Sequence, residues 1–229
     1  VVHRTIHTAI PAAIISGLFL TVVGVSLSKT FLTWMDTPEN ILPMSTLYMQ
    51  IYFGGMTFNM VYNFAASMLR AAGDTQSPLK FLTIAGIANV ALNLVFVIVF
   101  HMNVAGVALA TAISQAISAV LVVRTLMRRT DACKLELKKL RIYKPQLVKM
   151  IRIGLPAGVQ GSMFSISNVM IQSSINSFGD VVMSGNTAAG NIEGFIFTAM
   201  NALHQSAVNF TGQNVGARQY DRVKKILWT

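Results

Sequence analysis

From Phe81 to Val123 the chain carries no aspartate, glutamate, lysine or arginine. A bilayer core is crossed by about 20 apolar residues at roughly 1.5 Å each. The run is too long for one crossing and long enough for two, and the HMNVAG stretch at His101 to Gly106 supplies the break. Arg4 and Lys29 enclose a second uncharged run, with a span over Ile10 to Leu27. Pro38 and Pro43 mark the turn that follows, and Trp34 and Tyr48 suit a membrane interface. A third run gives a span from about Met44 to Leu69, ended by the RAAGDTQSPLK turn. Two more spans are expected over Ile153 to Asn176 and Val182 to Phe210. Only 11% of the 229 residues are charged and 53% are hydrophobic, against about 25% charged in soluble domains. The expected class is an all-α integral membrane protein with six transmembrane helices.

The net charge of +10 raises nucleic-acid binding only until the charges are placed. With Arg4, the 70–80 turn, the basic 124–152 stretch and the tail on one side, Lys29 is the one Lys or Arg on the other. That asymmetry is what the positive-inside rule demands, and it puts both ends of the chain in the cytoplasm. Motifs of nucleic-acid recognition are missing. Cys133 is the single cysteine, so no disulfide framework forms within the chain. No metal-ligand spacing, nucleophile elbow or phosphate-binding loop is found, so no catalytic residue, metal or cofactor is expected. Without a nucleotide-binding module, an ion gradient is the expected energy source, with H+ or Na+ as coupling ion.

Glu193 is the one acidic residue well inside an uncharged run. A carboxylate at membrane depth is costly and usually faces a bundle interior or a wet cavity, where it binds an ion or proton. It is the ion-coupling candidate; the bland reading is a structural carboxylate paired with a neighbouring helix. Gly161, Ser165, Asn168, Gln172 and Asn176 fall on one helical face. Ser165, Asn168, Gln172 and Asn176, with Gln160, are candidates for a substrate cavity, or for hydrogen-bonded glue worth about 0.6 kcal/mol per contact. Asn59 and Asn63 share a face, as do Asn89 and Asn93; these four suit packing contacts or cavity lining. His204 suits an interior histidine or a proton relay.

With those residues in hand, the chain resembles the multidrug and toxic compound extrusion (MATE) family of cation-coupled antiporters. The carriers are FLTWMDTPENI, LRAAGDTQSPL, IANVALNLVFV followed by GVALATAISQAIS, IGLPAGVQ, AAGNIEGF and GQNVGARQYDRVKK. The resemblance implies a twelve-helix, two-lobe transporter of the cell membrane, of which this chain supplies helices three to eight as a fragment. Residues 1–123 would belong to the N-lobe, 124–152 to a basic cytoplasmic linker, and 153–229 to the start of the C-lobe. It also implies alternating access, with small organic cations or amphiphiles as substrates and membrane lipids and the remaining helices as partners. Where some members carry a glutamate in the seventh helix, this chain has Phe164. A flippase of lipid-linked precursors, and a truncated fragment that transports nothing, are the alternatives.

Overall fold

The structure, a computed structural model, describes residues 2–34, 39, 41–130, 133–176 and 180–226. Among them every regular element is helical: α1 (Val2–Trp34), α2 (Leu42–Gly54), α3 (Met56–Ala71), α4 (Gln76–Leu94), α5 (Asn103–Arg128), α6 (Lys144–Asn176), α7 (Asp180–Gly216) and α8 (Tyr220–Ile226). A π turn at Val95–Val99 extends α4, and a short 3-10 turn lies at Leu137–Lys139. The chain divides into two compact units, Val1–Leu147 and Val148–Thr229. Among the described residues three helices are long and apolar enough to cross a membrane: α1, α4 with its π turn, and α5. Their outward faces present Phe19, Val22, Ile87 and Val90 largely uncovered. Water does not tolerate apolar surface on that scale, and lipid does.

In the first unit α1 packs on α2 and α3, and α5 packs on α2, α3 and α4. The approach of α1 is made by glycine. A Cβ at Gly17 would lie 2.7 Å from the Thr57 backbone, and one at Gly24 would lie 2.2 Å from the Phe53 ring. Without lipid-opposed hydrophobic gain, such close backbone packing is what binds helices in a bilayer. At the end that carries Arg4 and Arg70, the core is Ile6, Ile10, Ala65, Ala66, Leu69, Val122, Leu126 and Leu135.

The expected single span over Met44 to Leu69 is two helices meeting at Gly55. Gly55 lies against α5, where a Cβ would come within 3.0 Å of Ala112. The Thr21 hydroxyl of α1 donates to the Phe53 carbonyl at 2.8 Å. A glycine pair together with a foreign donor inserted into the ladder is a sufficient cause of a break. The break in the 81–123 run falls at Phe100 to Met102, just before α5; His101 and Asn103 there take positive φ of 52° and 46°. Histidine and asparagine are among the residues that accept that region.

The GDTQSP turn caps two helices. The Asp74 amide donates to Leu69 O and the Gly73 amide to Arg70 O, with Gly73 at φ 89°, which closes α3 in a Schellman motif. The Asp74 carboxylate then accepts from the Ser77 amide at 3.0 Å and its hydroxyl at 2.7 Å, and faces Arg129 at 3.5 Å. Burial works to raise the Asp74 pKa, but the Ser77 hydrogen bonds and the charges of Arg129 and Lys80 outweigh it and hold it below its ordinary value. A depressed carboxyl stabilises the fold above its unfolded pKa and loses that contribution as pH falls through its folded pKa. Asp74→Ala is therefore expected to cost about 1 kcal/mol at neutral pH. The difference from wild type should vanish in strong acid, as read by thermal unfolding in detergent at the two pH values.

Candidate functional site

Polar side chains gather in two places, one in each unit. In the first unit α4 faces α5 with a directed ladder. The hydroxyls of Thr111 and Ser114 donate to their own helix at Val107 O and Thr111 O. Their oxygens are thus free to accept, and the Asn89 amide points at both, 3.5 and 3.3 Å away. Asn93 in turn donates to Asn89 Oδ1 at 3.0 Å. The bonds run in one direction, and the ladder ends on Asn93 Oδ1, which is buried without a partner. A buried acceptor left unmade costs about 1–3 kcal/mol, so such groups call for a water, a donor ligand or a cation. A groove of about 300 Å³ runs beside it, lined by Gly86, Asn89, Thr111, Ser114, Gln115 and Ser118 among others. The π turn begins two residues after Asn93. Single π turns within membrane helices often sit at working positions.

On α3, Asn63 donates to both the carbonyl and the side-chain oxygen of Asn59, at 2.9 and 2.8 Å. That pair is satisfied within its own helix and Asn63 is exposed.

In the second unit α6 and α7 line an open cleft of about 1180 Å³. Phe164 and Phe197 stack across it with centroids 6.4 Å apart and planes 5° from parallel. Gln160, Ser167, Asn201 and His204 add polar groups to its lining, which holds no carboxylate among the described residues. Gln160 and His204, expected from sequence, are brought together here. Ser165 and Asn168 are exposed and outside this lining; the Ser165 hydroxyl bonds back to Gly161 O at 3.1 Å. The cleft face of α6 runs through Gln160, Gly161, Phe164 and Ser167, so of the Gly161–Ser165–Asn168 row only Gly161 lines it. The side chains of Gln172 and Asn176 lie outside the described residues. Glu193 stands exposed on α7, with no hydrogen-bond partner among the described residues. Sequence reasoning missed Thr111, Ser114 and Ser167, whereas Phe197, Asn201 and His204 share the helical face that the sequence spacing gives. Thr111 and Ser114 were legible as partners for Asn89, since hydroxyls three apart on α5 share the face that a neighbouring helix meets.

The fold is that of a helical chain with candidate membrane spans and polar groups gathered between its helices. The comparisons with known proteins make the assignment specific. Residues 1–95 and 156–229 match the MatE family model, and the chain belongs to the MatE family, whose relatives are transporters rather than enzymes. It is 32% identical over 206 residues to the probable multidrug resistance protein YpnP of Bacillus subtilis, covering 87% of this chain and 44% of that protein. It is 23% identical over 229 residues to a protein named FAD transporter of Shewanella oneidensis, covering 97% and 50%. The fold matches an outward-facing multidrug resistance MATE transporter of the MOP superfamily with TM-score 0.88 and 18% identity, over 98% of this chain and 50% of that one. The chain thus spans about half the length of the curated relatives it matches.

Proposed function

We propose that the chain is part of a cation-coupled antiporter that exports organic cations or amphiphilic drugs across the cell membrane by alternating access. Membership of the MatE family and the multidrug resistance name of the Bacillus relative support this reading. The observation that carries it is the α4–α5 ladder ending on an orphaned acceptor, Asn93 Oδ1. A transporter needs a polar site at membrane depth that is incomplete until its ion or substrate arrives, and a one-directional ladder with one open oxygen is that kind of site. The aromatic, amide-bearing α6–α7 cleft would take the flat apolar part of a substrate. In this reading the six spans, both ends cytoplasmic, form part of a twelve-helix two-lobe protein. Residues 1–123, 124–152 and 153–229 then serve as N-lobe, linker and C-lobe portions. The uncovered faces of α6 and α7, Ile153 and Phe195 among them, would meet lipid and the remaining helices.

Glu193 is the proposed coupling acid, for H+ or Na+. The test is efflux by the longer parent protein in cells lacking their own pumps, with and without sodium. Glu193→Gln should lose most gradient-driven efflux at normal expression, and the sodium dependence of wild type names the ion. Unchanged efflux would sink that role and leave coupling to the ladder. One observation favours a second reading: among the described residues the α6–α7 lining has no carboxylate to attract a cation, and a relative is named for FAD. A planar aromatic anion is the alternative cargo.

A further inference from the structure

The connection between α5 and α6 is fastened to α1, although its composition suggests a solvated basic linker. Pro11 is inside α1 and has no N–H, so the His7 carbonyl one turn back has no helical partner. The Arg141 amide takes it at 3.3 Å. The His7 side chain, 0% exposed, presents Nε2 to the Glu136 amide at 3.1 Å. A ring nitrogen that accepts cannot carry the proton, so the proton sits on Nδ1, which donates to His3 O at 2.8 Å. Beside it, Thr8 Oγ1 donates to Arg4 O at 2.7 Å and accepts from the Tyr143 amide at 3.2 Å. The Arg4 guanidinium lies over the Tyr143 ring, 5.6 Å from its centroid. Three amides of the strap, at 136, 141 and 143, thus end on two adjacent residues of α1, and Tyr143 directly precedes α6.

We propose that His7 is the pin of a pH-sensitive latch that holds this strap, and with it the start of α6, against α1. The neutral ring supplies the one acceptor that the Glu136 amide uses. An imidazolium has two N–H groups and no acceptor. Protonation therefore sets two donors head to head and leaves the Glu136 amide unmade. Histidine is the side chain whose charge ordinarily changes between about pH 5 and 8. The surrounding groups come from every neighbouring element. Helix α1 brings His3, stacked on His7 with centroids 4.0 Å apart, and Arg4. The strap brings Lys134, Glu136, Lys138, Lys139 and Arg141, and α6 brings Lys144; α3 and α5 end in Arg70, Arg124 and Arg128, with Arg129 just beyond. Among the described residues the Glu136 carboxylate is bonded by Lys139 at 2.7 Å and also feels His3, and Asp74 is engaged by Arg129; Asp131 lies outside the described residues.

Hydrogen exchange of the intact chain in lipid nanodiscs, at pH 8 and pH 5.5 and corrected for intrinsic exchange, reads the latch amide by amide. In wild type, acid should lower protection at Glu136 and Arg141 on the order of tenfold, the loss of one hydrogen bond. The Leu135 and Lys139 amides, bonded to Leu126 O and Glu136 O, should hold. His7→Gln keeps an acceptor that does not titrate and should give equal protection at both pH values. Thr8→Val should loosen Tyr143 at both and leave the Glu136 step intact. An unchanged Glu136 amide in wild type, the same step in His7→Gln, or a uniform loss at every amide of the strap would overturn the latch. The experiment reads the strap alone, so it stands apart from the exporter reading.

Discussion

Leu135→Ala is expected to lower the stability of the Val1–Leu147 unit by about 2–5 kcal/mol. Leu135 lies in a segment dominated by lysine and arginine, yet it is 1% exposed. It packs in one cluster with Ile6, Ile10, Leu69, Val122 and Leu126, and its amide donates to Leu126 O at 3.0 Å. Those neighbours belong to α1, α3 and α5, with α3 packed against both of the others. The site can collapse only partly around a lost side chain, and the cavity term is therefore close to fully felt. Leu137, two residues on, is 51% exposed, and Leu137→Ala should stay within about 0.5 kcal/mol of wild type. Unfolding of both variants in detergent, followed by denaturant titration, checks the contrast. Equal, small effects would mean that the strap does not share the helical core.

Gly17→Val is the second large effect. Here the obstacle is backbone rather than a movable side-chain tip, since the Thr57 Cα is 2.7 Å from where the new Cβ would be. The helices must separate, and the loss should reach about 1–3 kcal/mol or prevent assembly. Gly24 faces the same helix pair and is closed by the Phe53 ring. Gly86 on α4 has nothing within 4 Å of its added Cβ, so Gly86→Ala should be neutral or gain from helix propensity. Thermal unfolding of Gly17→Val beside Gly86→Ala separates close packing from a general intolerance of glycine replacement.

The helices with long uncharged runs were legible because exclusion of charge from lipid is written into each residue separately. The first span, and the pair within Phe81 to Val123, follow from that rule alone. The division of the expected Met44–Leu69 span at Gly55 was not, because it depends on Thr21 and Ala112, which are distant in sequence and meet only in the fold. The strap was illegible for the same reason. The link from Pro11 to Arg141 runs through a carbonyl that no composition count reveals, and the lysines and arginines around Leu135 masked its burial. In the ladder, spacing placed Asn89 and Asn93 on one face, but the direction of donation came from the α5 hydroxyls opposite. On α6, periodicity found the row of Gly161, Ser165 and Asn168, while the cleft beside the stacked Phe164 and Phe197 rings takes in Gly161 of that row together with Gln160 and Ser167.

The most direct test of the exporter reading uses the longer parent protein, purified into proteoliposomes with a fluorescent organic cation inside. An inward proton or sodium gradient is then imposed separately. The account expects efflux above the leak under one of the two gradients, collapse when an ionophore dissipates it, and loss when the α4–α5 ladder is cut by Asn93→Leu. Efflux that ignores both gradients, or the absence of organic-cation movement under either, would contradict it.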